Sequence, residues 1–181
     1  MDPNDPDVIF AGTGEVFTQR GLPGAGILKS IDGGGVWTQL EDTVRPEMYF
    51  VSDISTHPWN SNFLIACVCD VNHSGAIFRS GDGGDHWYPV LSGLPTPATH
   101  VKYDLDDPLI VIAGCMNSAW RSDDGGSSGS WTCISTVDAG TLPANTGRVE
   151  IAFAEDSDLV YASCATPRTG GDDTTGSIYR S

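Results

Sequence analysis

Ser30-Ile31-Asp32-Gly33-Gly34-Gly35-Val36-Trp37 returns as Ser80-Gly81-Asp82-Gly83-Gly84-Asp85-His86-Trp87. A third copy, Ser122-Asp123-Asp124-Gly125-Gly126, reaches Trp131 after two extra residues, and Arg180-Ser181 repeats the opening of the phrase. Each full copy reads Ser-x-Asp-x-Gly and then Trp, and a basic residue stands before every one: Lys29, Arg79, Arg121 and Arg180. A phrase recurring every ~40 to 60 residues marks a repeat architecture, so the rest of the chain is aligned on it.

The alignment exposes a longer unit. Before each phrase comes a short strand, GILKS (26–30), AIFRS (76–80), SAWRS (118–122) and SIYRS (177–181). An apolar run precedes that: VIFAGTG (8–14), FLIACVC (63–69), LIVIAGC (109–115) and LVYASC (159–164). Earlier still lie YFVSDIST (49–56), HVKYDL (100–105) and RVEIAFA (148–154), and after each phrase a strand carries the Trp: VWTQL (36–40), HWYPV (86–90) and SWTCIS (130–135). In order these are strands A, B, C and D of a unit, with Pro- and Asp-rich A-to-B turns that cannot continue a ladder. Four short antiparallel strands per repeat, with strand B apolar on both faces, describe a propeller blade. The expected fold is all-β: a β-propeller arc of about three and a half blades, truncated at both ends. Blade 1 supplies strands B to D over 8–40, blade 2 spans 49–90, blade 3 spans 100–135, and blade 4 supplies strands A to C over 148–181.

The phrase sits where strand C turns back into strand D. Its Asp accepts hydrogen bonds from the loop's own amides, its glycines supply positive φ, its Ser bonds locally and its Trp buries a ring against the hairpin. The expected structural set is Ser30, Asp32, Gly34, Trp37, Ser80, Asp82, Gly84, Trp87, Ser122, Asp124, Gly126 and Trp131. Ser-x-Asp-x-Gly-x-x-Trp resembles the Asp-box, or bacterial neuraminidase repeat, of Asp-box β-propellers. That superfamily includes sialidases, sortilin-type receptors, xyloglucan-active glycoside hydrolases and a photosystem II assembly factor. The leading AGTGE (11–15) and the glycine-rich approach to Lys29 and Ser30 look like the sortilin/xyloglucanase-like branch. The resemblance implies that the phrase lies at the blade periphery, away from any ligand, and that relatives are commonly exported. It therefore implies a location outside the cytoplasm, although the acidic N-terminus has no signal-peptide pattern.

Net charge is −15, from 24 acidic and 9 basic residues. Nucleic acid and anionic membranes both need clustered Lys and Arg, so they are poor partners, and no apolar stretch is long enough for a membrane-spanning helix. The five cysteines lack paired spacing, which disfavours zinc, and four lie in apolar runs where reduced, buried thiols are expected. Asp2-Asn4-Asp7 and Gly170-Gly171-Asp172-Asp173 are acidic, as calcium loops can be, but neither completes a calcium-loop spacing; no cofactor is expected, with calcium the one option the composition leaves open.

In propellers the ligand face is built from B-to-C and D-to-A loops. Polar residues on or beside that face are Glu15, Arg20, Arg45, His73, His100 and Arg168, with Asp53 and Glu150 as candidates for a carboxylate pair of the kind glycoside hydrolysis needs. The acidic stretch that marks xyloglucan-active relatives is missing, as is the arginine-isoleucine-proline signature of sialidases. Trp59 lies in an A-to-B turn on the opposite side, where a packing role is expected. The expected function is a non-catalytic scaffold binding a protein or glycan. The alternatives are part of a xyloglucanase-like hydrolase propeller and a sortilin-like receptor or assembly-factor module. Expected partners are the ligand and either further blades or a second copy meeting the open edges.

Overall fold

The computed structural model describes residues 1–15, 21–136, 147–154, 159–165 and 177–180. Among the described residues, fourteen strands form four antiparallel sheets. Blade 1 contains β1 (Ile9–Gly12), β2 (Ile27–Ser30) and β3 (Thr38–Gln39), in that order. Blade 2 contains β4 (Phe50–Thr56), β5 (Leu64–Cys69), β6 (Gly75–Ser80) and β7 (Tyr88–Leu94). Blade 3 contains β8 (Ala98–Tyr103), β9 (Val111–Cys115), β10 (Ser118–Ser122) and β11 (Trp131–Thr136). Blade 4 contains β12 (Val149–Phe153), β13 (Val160–Cys164) and β14 (Ser177–Arg180). Every sheet is a meander, and the first strands of blades 2, 3 and 4 pack against one another as the inner row of the arc. Strand β7 runs on to Leu94 and β8 begins at Ala98, so only Pro95, Thr96 and Pro97 separate blades 2 and 3.

The cores lie between blades. Leu64, Ala66 and Val68 of β5 join Ile27 and Leu40 of blade 1, whereas Ile65 and Cys67 join Val101, Val111 and Ala113 of blade 3. All six residues of β5 are buried, because successive side chains enter different cores. Ile112 of β9 continues the series against Val149 and Ile151 of blade 4. A fully buried Val or Ile contributes ~1.5 to 3 kcal/mol, so the sandwiching of blades, not any one sheet, holds the arc together. All five cysteines are free, four of them buried, and burial pushes the Cys69 thiol up to about 11 and Cys115 to about 12.

The repeat loops have the expected chemistry in their first two copies. Ser80 Oγ donates to Asp82 Oδ1 at 2.9 Å and accepts the Gly84 amide at 3.0 Å, while Asp82 Oδ1 also accepts the His86 amide at 3.0 Å. Ser30 and Asp32 repeat these bonds with Gly34 and Val36. Gly84 has φ +98°, a conformation other residues rarely adopt. The third copy departs from expectation at Asp124. The two extra residues carry the amide before Trp131 away, and Ser130 Oγ takes the carboxylate's place, 2.5 Å from Ser122 Oγ. The three tryptophans also differ. Trp87 is 1% exposed and Trp37 is 41% exposed, since Trp87 has blade 1 beside it and no described residue covers Trp37 in the same way. The indole N–H of Trp37 and of Trp87 binds the glycine carbonyl three residues back, whereas that of Trp131 is buried without a partner.

Of the basic residues before the phrase, Lys29 reaches forward to the next blade and Arg79 stays over its own. Lys29 Nζ donates to Gly83 O of the next repeat loop at 2.8 Å and lies over the Phe10 ring. Arg79 lies over Phe63 at 4.6 Å from the ring centroid.

Two outcomes follow for stability. Ser80→Ala strands the buried Gly84 amide and lowers stability by ~1 to 3 kcal/mol in urea unfolding. Asp82→Ala lowers the melting temperature, whereas Asp124→Ala leaves it unchanged and Ser130→Ala lowers it. Burial opposes ionisation of Asp82, but hydrogen bonds from the His86 backbone and ring and from Ser80 outweigh it and hold the carboxyl at about 2. A depressed carboxyl stabilises the fold fully above its ordinary value of 3.8 and loses that contribution as pH falls toward 2. Acid unfolding of Asp82→Asn is therefore expected to be flatter across that window.

Candidate functional site

Backbone register places Asp53, His100 and Glu150 at one position of the inner strands. Asp53 pairs with Cys67, His100 with Gly114 and Glu150 with Ser163, each one step from the pair Val51–Val68, Ala98–Cys115 or Val149–Cys164. In blades 2 and 3 a bulge inserts one residue just before it, Ser52 or Thr99. Blade 4 has no bulge there.

The side chains at this position bind the next blade. Asp53 Oδ2 accepts the Val101 amide at 3.0 Å, and His100 Nδ1 accepts the Ile151 amide at 3.0 Å. The bulge hydroxyls do the complementary job. Ser52 Oγ donates toward Ala98 O at 2.7 Å, within reach of Cys67 O at 3.1 Å, and Thr99 Oγ1 lies 3.1 Å from both Gly114 O and Val149 O. Ser52 and Thr99 were not legible as a set, because a bulge is invisible until the strands are paired. The signal was a hydroxyl residue directly before Asp53 and His100.

Asp53 has little left for chemistry. Its Oδ1 accepts the Ile54 amide at 2.9 Å, and Lys102 Nζ and His100 Nε2 stand 3.3 and 3.5 Å from Oδ2. Acceptance of the Ile151 amide makes Nδ1 the unprotonated nitrogen of His100 and Nε2–H the one aimed at Asp53. Burial, with Lys102 and Arg148 adding to it and Asp53 and Glu150 opposing, keeps the imidazole below its usual range. Glu150 is exposed, with Arg148 Nη2 at 2.5 Å. Asp53 and Glu150 lie on strands separated by β8, with His100 between them.

Of the loop-face candidates, Arg45 is turned into the interface between blades 1 and 2. Its Nη2 donates to Trp87 O at 2.6 Å, its guanidinium lies 5.0 Å from the Phe78 ring centroid, and Asp42 Oδ2 accepts the Trp87 amide at 2.6 Å. Glu15 is exposed. His73 is exposed at φ +62° in a turn built by Asp70, whose Oδ1 accepts the Asn72 and Ser74 amides. Arg20 and Arg168 lie outside the described residues, as do the glycine and aspartate residues at 170–173. Asp2 binds Asn4 within its own turn. Trp59 differs from expectation: it is 65% exposed, with the His57 ring meeting it edge-on.

What the loop face does hold is a cleft of about 240 Å³ at the end of blade 2. Glu47 reaches it from the connection between blades, Asp70 and Ser74 from the β5–β6 turn, and Ser92 and Gly93 from β7, with Ala76, Phe78 and Pro89 also in the lining. Among the described residues no group of three or more His, Cys, Asp or Glu could hold a metal ion, and no helix is long and apolar enough to cross a membrane.

The His100 contact is pH-dependent with a definite sign. A histidine whose folded value is lowered stabilises the fold fully above its unfolded value of 6.5 and progressively less as pH falls below it. The Ile151 amide is expected to resist hydrogen exchange near neutral pH and to lose protection below 6.5. His100→Ala is expected to remove the protection at every pH.

No protein-family model matches the sequence, and none of the curated proteins does. Solved structures share the fold. The GH74 xyloglucanase from Xanthomonas campestris aligns with TM-score 0.71 and 19% identity over 99% of this chain. An ancestral GH74 enzyme gives 0.69 and 17% over 90%, and the GH74 enzyme from Niastella koreensis gives 0.59 and 14% over 99%. The chain spans only 28%, 21% and 34% of those three structures. At such identities the likeness is one of fold: this chain is an arc of β-propeller blades.

Proposed function

We propose that this arc belongs to an Asp-box propeller that binds a carbohydrate at its loop end, with no hydrolytic step carried by these blades. The observation behind the reading is the blade 2 cleft. Glu47, Asp70, Ser74 and Ser92 line it together with the apolar Ala76 and Pro89. Sugar hydroxyls would donate to the carboxylates and hydroxyls, and the C–H face of a pyranose would lie against Pro89. The carboxylates and the net charge of −15 disfavour uronic acids and other anions. The Ser-x-Asp-x-Gly loops support the Asp-box assignment, and the xyloglucanase among the structural neighbours supports a neutral polysaccharide as the ligand class. Against hydrolysis stands Asp53, whose Oδ1 accepts the Ile54 amide of its own strand and whose Oδ2 accepts the Val101 amide of the next blade.

One observation favours a second reading. Glu150 is exposed beside a cleft of about 280 Å³ shared with His100 and Tyr161, so a hydrolase whose other carboxylate lies on another blade fits that edge.

Calorimetric titration with xyloglucan and mixed β-glucan oligosaccharides is expected to give binding in the ~10⁻³ to 10⁻⁶ M range. Glu47→Ala and Ser92→Ala weaken it about tenfold each, and polyuronates give no heat. Absence of binding to any neutral glycan overturns the carbohydrate reading and leaves a protein ligand. Sugar release by the parent protein that disappears on Glu150→Gln, with glycan affinity retained, favours the hydrolase.

A further inference from the structure

Asp-Gly is a dipeptide prone to rearrange on itself, because the glycine amide is unhindered and closes a five-membered ring on the carboxyl. The chain has three, Asp32-Gly33, Asp82-Gly83 and Asp124-Gly125, one in each repeat loop. Their surroundings match in several respects. All three aspartates are exposed, and all three glycines have positive φ. Each glycine amide is held by the turn just before β1, β5 or β9. Gly33 donates to Asp7 O at 2.9 Å, Gly83 to Asn62 O at 2.9 Å and Gly125 to Leu109 O at 2.8 Å.

The carboxylates differ. Asp32 Oδ1 is held by Ser30 Oγ and the Val36 amide, and Asp82 Oδ1 by Ser80 Oγ and the His86 amide. Asp124 has neither hold. Ser122 Oγ is turned to Ser130 Oγ, and the Arg121 guanidinium binds Asp123 at 2.7 Å. Among the described residues no hydrogen bond reaches the Asp124 carboxylate. The difference matters twice over. A carboxyl held by two donors cannot swing toward the following amide, and a carboxylate kept charged is a poor electrophile. The Val36 amide and Ser30 lower the Asp32 carboxyl, and at Asp82 hydrogen bonds outweigh burial to hold it at about 2.

We propose that Asp124 is a site of spontaneous modification, passing through a succinimide to isoaspartate while Asp32 and Asp82 stay intact. The Gly125 nitrogen bonds to Cγ of the protonated carboxyl, whose hydroxyl leaves with the amide proton as water. Water then opens the ring at either carbonyl. Opening on the main-chain side leaves Gly125 joined through the β-carbon and the α-carboxyl free. Only water is exchanged, and nothing is oxidised. The product main chain is longer by one methylene, in a loop whose Gly125 amide binds Leu109 O and whose Gly126 lies against Ile65 of blade 2. Conversion therefore loosens the joint between blades 2 and 3.

Peptide mapping tests it. Trypsin cuts after Lys29, Arg79 and Arg121, so each Asp-Gly falls in its own peptide. After the folded protein is aged at neutral pH, the peptide beginning at Ser122 is expected to show a second chromatographic peak of unchanged mass. Its conversion exceeds that of the peptides beginning at Ser30 and Ser80 about tenfold or more. In concentrated urea, where no loop holds its carboxylate, the three sites convert at similar rates. Asp124→Glu removes the new peak, since closure would then need a six-membered ring, and leaves Asp32 and Asp82 as they were. An Asp124 that stays intact in the folded protein yet converts in urea overturns the proposal. Equal conversion at the three folded sites also overturns it, as does a lead at Asp124 that persists unchanged in urea.

Discussion

A sheet that is apolar on both faces has no stable existence alone, and this is the constraint from which the rest of the structure follows. Strand β5 is buried at every residue, with Leu64, Ala66 and Val68 in one core and Ile65 and Cys67 in another. Neither core exists until a neighbouring blade arrives. The loops, the glycines and the inner-strand hydroxyls are arranged so that this neighbour can come close enough. Gly126 admits Ile65, Ser52 ties to Ala98, and Lys29 reaches across to the carbonyl of Gly83.

Most of this architecture was legible in the sequence because it is repeated. Three copies of one phrase set the register, and the register gave strands B and C nearly residue by residue. Hydrogen bonding in the first two loops also followed from residue type alone. The third loop did not. An insertion of two residues looks harmless on paper, yet it moves one amide beyond reach of Asp124, and Ser130 supplies the bond instead. The tryptophans were misjudged for a related reason: the burial of Trp87 belongs to blade 1, and a local pattern carries no record of its neighbour.

The candidate site was less legible. Asp53, His100 and Glu150 stood out as polar residues in apolar strands, and the structure aligns them at one register position. Their use was hidden, because Asp53 and His100 are spent on amides of the following blade, a pairing of residues about 50 positions apart in the chain. Arg45 was hidden likewise, since a guanidinium in a loop reads as solvent-facing until Trp87 is seen beneath it. The blade 2 cleft draws on two connections and on strand β7, none of which has a distinguishing sequence by itself.

Across the inner row the earlier blade offers side chains and the later blade its backbone: Asp53 and His100 accept the Val101 and Ile151 amides, and Ser52 and Thr99 donate toward the Ala98 and Val149 carbonyls. An amide is present in any residue but proline, so the incoming blade needs no special side chain to be accepted. A tandem duplication of one unit would therefore meet its predecessor correctly without a compensating substitution. The joint tolerates changes in the number of blades far more readily than changes in their order, and lengthening by gene duplication is the evolutionary route this chemistry leaves open.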